Sequence, residues 1–324
     1  MKYLKPKFIG TALVLLFIMA ACKKESQNIF NMFDVKLELL TPHPFSSGEY
    51  KEINDGDTVF LDYTITSPTK DMYQVAIAKA SGGLGFHNIL LAESERRSYT
   101  GRDTLVATAT ANTDRSKPLT YRIENAGMNS YRIWAYDKEG VFIGDGYKRV
   151  SIYVKPNFTH IANRNIFYPD SLNKSTNNYF SLTKGETFNY AGAQANSADI
   201  DFGIYRKPTA TPNTYTTHIY SLSESPLPYT VDDISSFTKR QTLFSAPVAS
   251  HAATFNNTLT IGNQIEAQAK TRTINLKSIS ATIPAGSVVY FRTPEGKYGA
   301  ILFNAITTNY SGAPFVNVSV KYQN

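Results

Sequence analysis

Cysteine is almost missing from this chain: Cys22 stands alone among 324 residues. No disulfide can form within the chain, and a zinc site built on several thiolates is excluded. Stability must come from core burial. Long apolar runs are missing too. The longest, Phe8 to Ala21, has 14 residues, short of the ~20 that a spanning helix needs. Charge is sparse at 18 % of residues, and the basic ones are scattered. Nucleic-acid binders concentrate basic charge in a stripe, so that partner class is set aside. Histidines are few and separated: no two of His43, His87, His160, His218 and His251 lie within five residues of each other. Neither H-E-x-x-H nor a phosphate-binding glycine loop occurs, and the G-x-S-x-G elbow is absent. The sequence therefore calls for no cofactor and no metal.

Against these absences stands a distinctive start. Lys2, Lys5 and Lys7 precede the short apolar run, the layout of a secretory signal. The run ends in Met19-Ala20-Ala21-Cys22. This resembles the lipobox of bacterial lipoproteins. The resemblance implies cleavage of residues 1–21, acylation of Cys22, and a lipid anchor. Lys23, where Asp would signal retention, then points to the outer membrane by likeness to enterobacterial sorting. Acylation also takes the sole thiol out of play as a nucleophile. Without the signal lysines the balance is 30 basic against 26 acidic residues, or +4 rather than +7.

Composition favours sheet. Aromatics reach 13 %, with 21 Tyr and 19 Phe, and such residues suit pleated, half-buried surfaces. After a tether at 22–32, a first domain is expected over 33–155. Val35, Leu37 and Leu39 alternate with Lys36 and Glu38, and Val59, Leu61, Tyr63 and Ile65 alternate with Phe60, Asp62 and Thr64. Tyr73, Val75 and Ile77 make a third strand, and Leu105 to Ala111 another. Tyr131, Ile133 and Ala135 alternate with Arg132, Trp134 and Tyr136; Asp137-Lys138-Glu139-Gly140 then turns the chain toward Val150, Ile152 and Val154. Tyr131, Ala135 and Asp137 match the closing hairpin of bacterial immunoglobulin-like domains, which this stretch resembles.

Lys155-Pro156-Asn157 marks a boundary, because proline cannot donate to a sheet ladder. The second domain, 156–324, is also expected to be β-rich. Two short helices are expected to interrupt it. One is capped by Asp232 and carries Ile234, Phe237, Gln241 and Phe244. The other opens at Asn263 with Glu266 in a capping box. Residues 177–205 and 285–306 resemble the opening and closing segments of uncharacterised Bacteroidota lipoproteins, a likeness that carries no activity with it. Asp57-Thr58-Val59, Asp103-Thr104-Leu105 and Asp170-Ser171-Leu172 resemble the O-glycosylation signal of exported proteins in that phylum.

Two side-chain sets stand out as ligand-binding. Trp134 and Tyr136 are expected on one outward face, where flat rings with polar tips suit contact surfaces and sugar faces. Asp199 and Asp201, about 7 Å apart on one strand, are expected to share an exposed face and offer oxygens to Ca²⁺ or sugar hydroxyls. The expected whole is all-β: two sandwich-like domains, the first immunoglobulin-like, in a non-catalytic binding or accessory protein for a glycan, peptide or partner protein. A structural subunit of a surface assembly is the alternative, and a glycoside hydrolase the next.

Overall fold

The structure, a computed structural model, describes residues 35–79, 87–106, 120–122, 126–170, 172–228 and 232–324. The signal, the tether and Cys22 lie outside the described residues, as do Ser171 and residues 107–111 of the expected fourth strand. Strand dominates, in four largely antiparallel sheets, and only three short α-helices occur among the described residues.

Residues 36–154 supply nine strands: β1 (Lys36–Leu40), β2 (Tyr50–Ile53), β3 (Thr58–Thr66), β4 (Gln74–Lys79), β5 (His87–Leu90), β6 (Ser98–Val106), β7 (Thr120–Arg122), β8 (Gly127–Tyr136) and β9 (Phe142–Val154). They form two sheets, ordered β1-β3-β6-β7 and β2-β9-β8-β4-β5. The expected alternation is real. Val59, Leu61, Tyr63 and Ile65 from one sheet meet Val75, Ile77, Tyr131, Ile133, Ala135 and Val150 from the other in one core. Each large apolar side chain buried there contributes roughly 1.5–3 kcal/mol relative to exposure. The hairpin between β8 and β9 is stapled by Asp137. Its Oδ1 accepts from the Val141 N–H at 2.7 Å, its Oδ2 pairs with Lys70 at 2.6 Å, and Gly140 takes φ +76°. Only glycine adopts that conformation cheaply.

Residues 158–323 supply the rest: β10 (Phe158–Phe167), β11 (Tyr179–Ser181), β12 (Glu186–Phe188), α1 (Tyr190–Ala195), β13 (Phe202–Pro208), β14 (Tyr215–Tyr220), β15 (Leu243–Phe244), α2 (Ala252–Asn257), α3 (Gly262–Lys270), β16 (Val288–Arg292), β17 (Tyr298–Thr308) and β18 (Pro314–Gln323). The sheets run β10-β18-β17-β16-β15 and β12-β11-β13-β14. Between them lie Phe180, Phe202, Ile204, Ile219, Phe291, Phe303, Val316 and Val318. Both outer faces are covered as well. Phe255, Ile265 and Ala269 of α2 and α3 pack on Val288, Tyr290, Ala300 and Leu302. Ala193 of α1, with Ile234 and Phe237, packs on Tyr179 and Ile200. The result is four layers.

Two helix expectations need correction. No helix follows Asp232: that segment is irregular, and Ile234 and Phe237 are buried by packing on the sheet rather than by helical spacing. The Asp232 carboxylate instead accepts from the Tyr179 hydroxyl at 2.8 Å. The helix at 262–270 exists, but its N-terminus is not held by Asn263 and Glu266. The Asn157 carboxamide oxygen accepts from the Gly262 N–H at 2.8 Å, and Asp55 Oδ2 accepts from the Asn263 N–H at 3.0 Å. Asp55 comes from the turn between β2 and β3. This helix start is therefore capped from the other end of the chain. Ile261, just before it, is buried in the core formed by residues 35–154. The Ala126 N–H donates to the Thr260 carbonyl at 3.1 Å beside it.

Candidate functional site

Trp134 and Tyr136 occupy alternate positions on β8, opposite the buried Tyr131, Ile133 and Ala135, and both are half-buried. Their rings stand edge to face, centroids 6.1 Å apart at 74°. The strand on one side presents the small Ala76 opposite Trp134; on the other side the register with β9 shifts between Ile133 and Ala135. Such irregularities re-aim side chains at the surface.

The expected carboxylate pair does not form. Asp199 lies in a 3-10 turn, paired with Lys184 at 3.3 Å. Asp201 is fully buried. Its Oδ2 accepts from the Leu182 N–H at 2.8 Å, and its Oδ1 accepts from Arg240 Nε at 3.0 Å. Arg240 then pairs with Glu295 at 2.9 Å. The outward face of this strand start is roofed by the segment carrying Arg240 and Thr242, so alternation does not bring Asp201 to solvent. Burial pushes the Asp201 carboxyl above its ordinary value, against the pull of the Leu182 amide and Arg240.

An open cleft runs beside that network. A hollow of ≈540 Å³ is lined by His160, Arg164, Lys184, Glu186 and Tyr322. A second, of ≈300 Å³, shares Thr183 and Tyr322 and adds Arg240, Glu295 and Lys297. Its charges are mostly committed. Arg164 donates to the Gly185 carbonyl at 2.8 Å, and Arg240 is held by Asp201 and Glu295. Asp201 shows no oxygen to this cleft, so Asp201 and Glu295 work as a brace for Arg240 rather than as an acid and base across a substrate. Among the described residues, no three His, Cys, Asp or Glu side chains gather closely enough to hold a metal ion. Nor is any helix there long and apolar enough to cross a membrane.

A further hollow of ≈280 Å³ opens where the sheets of the C-terminal half part, with Arg206, Tyr215 and Ile306 among its walls. Sequence reading passed it over. The signal was present: Phe202 and Ile204 face the core, and the next residue of that inward series is Arg206.

No known protein family matches the chain, and no curated protein matches it. Among solved structures, the chain is similar to an alkylpurine DNA glycosylase of Pseudomonas fluorescens bound to DNA containing an abasic site analogue. That likeness has 14 % identity and a TM-score of 0.20, over 38 % of this chain and 31 % of that one. The chain thus spans about a third of that protein's length, and a likeness so slight carries neither fold nor activity across.

Proposed function

We propose that this chain is an exported, lipid-anchored protein of the outer membrane whose folded part is a non-catalytic binding or accessory module for a glycan, peptide or partner protein. The basic start, the short apolar run and Met19-Ala20-Ala21-Cys22 support the anchor. An immunoglobulin-like reading of residues 33–155 is supported by the sheet order β2-β9-β8-β4-β5, in which a short early strand runs parallel to the last. The resemblance of residues 177–205 and 285–306 to Bacteroidota lipoproteins supports the same setting.

The observation that carries the binding role is the Trp134–Tyr136 pair. Two aromatic rings 6.1 Å apart share the face of a sheet whose opposite face fills the core. A rigid strand holds them, and rigid aromatic anchors dominate contact energetics. The test is Trp134→Ala in the mature chain, read on a glycan array and by capture of surface proteins. Binding that weakens tenfold or more with unchanged thermal unfolding is expected. Ligands that bind the variant as tightly as the parent would remove the platform from the reading.

A further inference from the structure

The two inner faces of the C-terminal half run out of core at one end. On one side the inward series of β13 is Phe202, Ile204, Arg206, and that of β14 is Ile219, Thr217, Tyr215, by the register Ile204↔Ile219 and Arg206↔Thr217. On the other side the inward series of β18 is Val318, Val316, Pro314, and Ile306 and Thr308 of β17 pair with the last two. Both sheets therefore stay inward-facing past the last core layer. Their side chains cannot meet there, and the gap is the ≈280 Å³ hollow. Tyr168, 6 % exposed and hydrogen-bonded through its hydroxyl to Thr217, floors it.

Arg206 is the unusual member. Its guanidinium carbon lies 4.1 Å from the Tyr215 ring centre and 5.7 Å from that of Tyr168. Among the described residues it makes no ion pair and no hydrogen bond to protein, and no carboxylate lines the hollow. Stacking uses the face of a guanidinium and leaves its edge donors in plane, the geometry that receives a carboxylate through two parallel hydrogen bonds. Tyr215 is itself 49 % exposed, and Ile306 and Pro314 add apolar wall. Thr307, Thr308 and Asn213 supply neutral donors and acceptors. The volume falls just below the ~300–1,000 Å³ of drug-sized sites, enough for one ring.

We infer that this hollow is a binding subsite for a single acidic sugar residue, its carboxylate on Arg206 and its ring against Tyr215 and Ile306. A ring with one apolar face, several hydroxyls and one carboxylate matches the walls group for group. An acidic peptide side chain would use Arg206 but leave Tyr215, Ile306 and the threonines without a role. This subsite is independent of the Trp134–Tyr136 face, which lies in the other half of the chain.

The experiment is saturation-transfer NMR and calorimetry on the mature chain with glucuronate, galacturonate, mannuronate and N-acetylneuraminate, each beside a neutral counterpart. At least one acid is expected to bind tenfold or more tightly than its neutral form. Arg206→Gln is expected to erase that preference, and Tyr215→Ala to weaken the acid severalfold. Trp134→Ala is expected to leave it unchanged, which separates this subsite from the aromatic platform. Thermal unfolding of each variant guards against misfolding. No binding of any acid, equal binding of acid and neutral forms, or a preference that survives Arg206→Gln each overturns the inference. So does a short acidic peptide that binds through Arg206 as tightly as the best sugar.

Discussion

The carboxylate of Asp55 accepts a hydrogen bond from the Asn263 N–H at 3.0 Å, across 208 residues of sequence. The same oxygen accepts from Asn157 Nδ2 at 2.7 Å, and Asn157 in turn receives the Gly262 N–H. A turn of the N-terminal half, the connecting segment and a helix of the C-terminal half meet on one carboxylate. Free N–H groups at a helix start favour negative charge.

Removing that carboxylate should loosen the seam. Asp55→Ala is expected to cost about 1–2 kcal/mol, the scale of a lost N-cap, and to speed hydrogen exchange at Gly262 and Asn263. Glu38→Ala, at an exposed position of β1, should leave those amides protected. Unchanged exchange in the Asp55 variant would show that Ile261 burial alone holds the two halves together.

Packing makes a sharper demand at Gly299. It pairs directly with Phe291, whose ring lies over it so closely that an added Cβ would stand 2.1 Å from Cζ. Gly203 under Tyr220 and Gly101 under Tyr63 repeat the arrangement. Gly299→Ala is expected to destabilise by about 1–3 kcal/mol, the usual cost of overpacking. Denaturant unfolding within 0.5 kcal/mol of the parent would mean that the ring moves aside freely.

Lys321 gives a pH dependence. Its ammonium is buried, donating to the Phe255 and Leu259 carbonyls at 2.8 Å each, and burial lowers its pKa to about 8 from 10.5. Between those values the unfolded chain holds a proton that the folded chain has released. Raising the pH therefore favours folding from this group, with a slope spread over about pH 8 to 10.5 and absent below it. Lys321→Met should remove that slope. Parent and variant curves that run parallel across this range would refute the shift.

The anchor has its own test. Mature protein from native cells is expected in the detergent phase on phase partition, and Cys22→Ser is expected to move it to the aqueous phase. A parent protein that stays aqueous with its initial methionine intact would sink the proposal of a lipid anchor.

Much of the strand framework was legible because one face of each sheet in the N-terminal half fills a single core, so core residues recur at every second position. Val59 to Ile65 and Tyr131 to Ala135 show it. The rule weakens in the C-terminal half, where helices and loops roof both outer faces. There Asp201 sits on the outward side and is still buried, because Arg240 and Thr242 arrive from forty residues away to satisfy it. Local spacing cannot report such a partner. The helix expected after Asp232 failed for the same reason: Ile234 and Phe237 are apolar because a sheet lies under them. Arg206 was visible as the one charge in an inward series, but its meaning depends on where the opposite sheet stops.

The strands that open and close the C-terminal half, β10 and β18, lie side by side, with Phe158 opposite Gln323 and the Thr159 hydroxyl donating to Asn324 at 2.6 Å. Entry and exit thus share one doorway. Loss of the Phe158–Gln323 rung therefore uncovers the start of β10 and the end of β18 together.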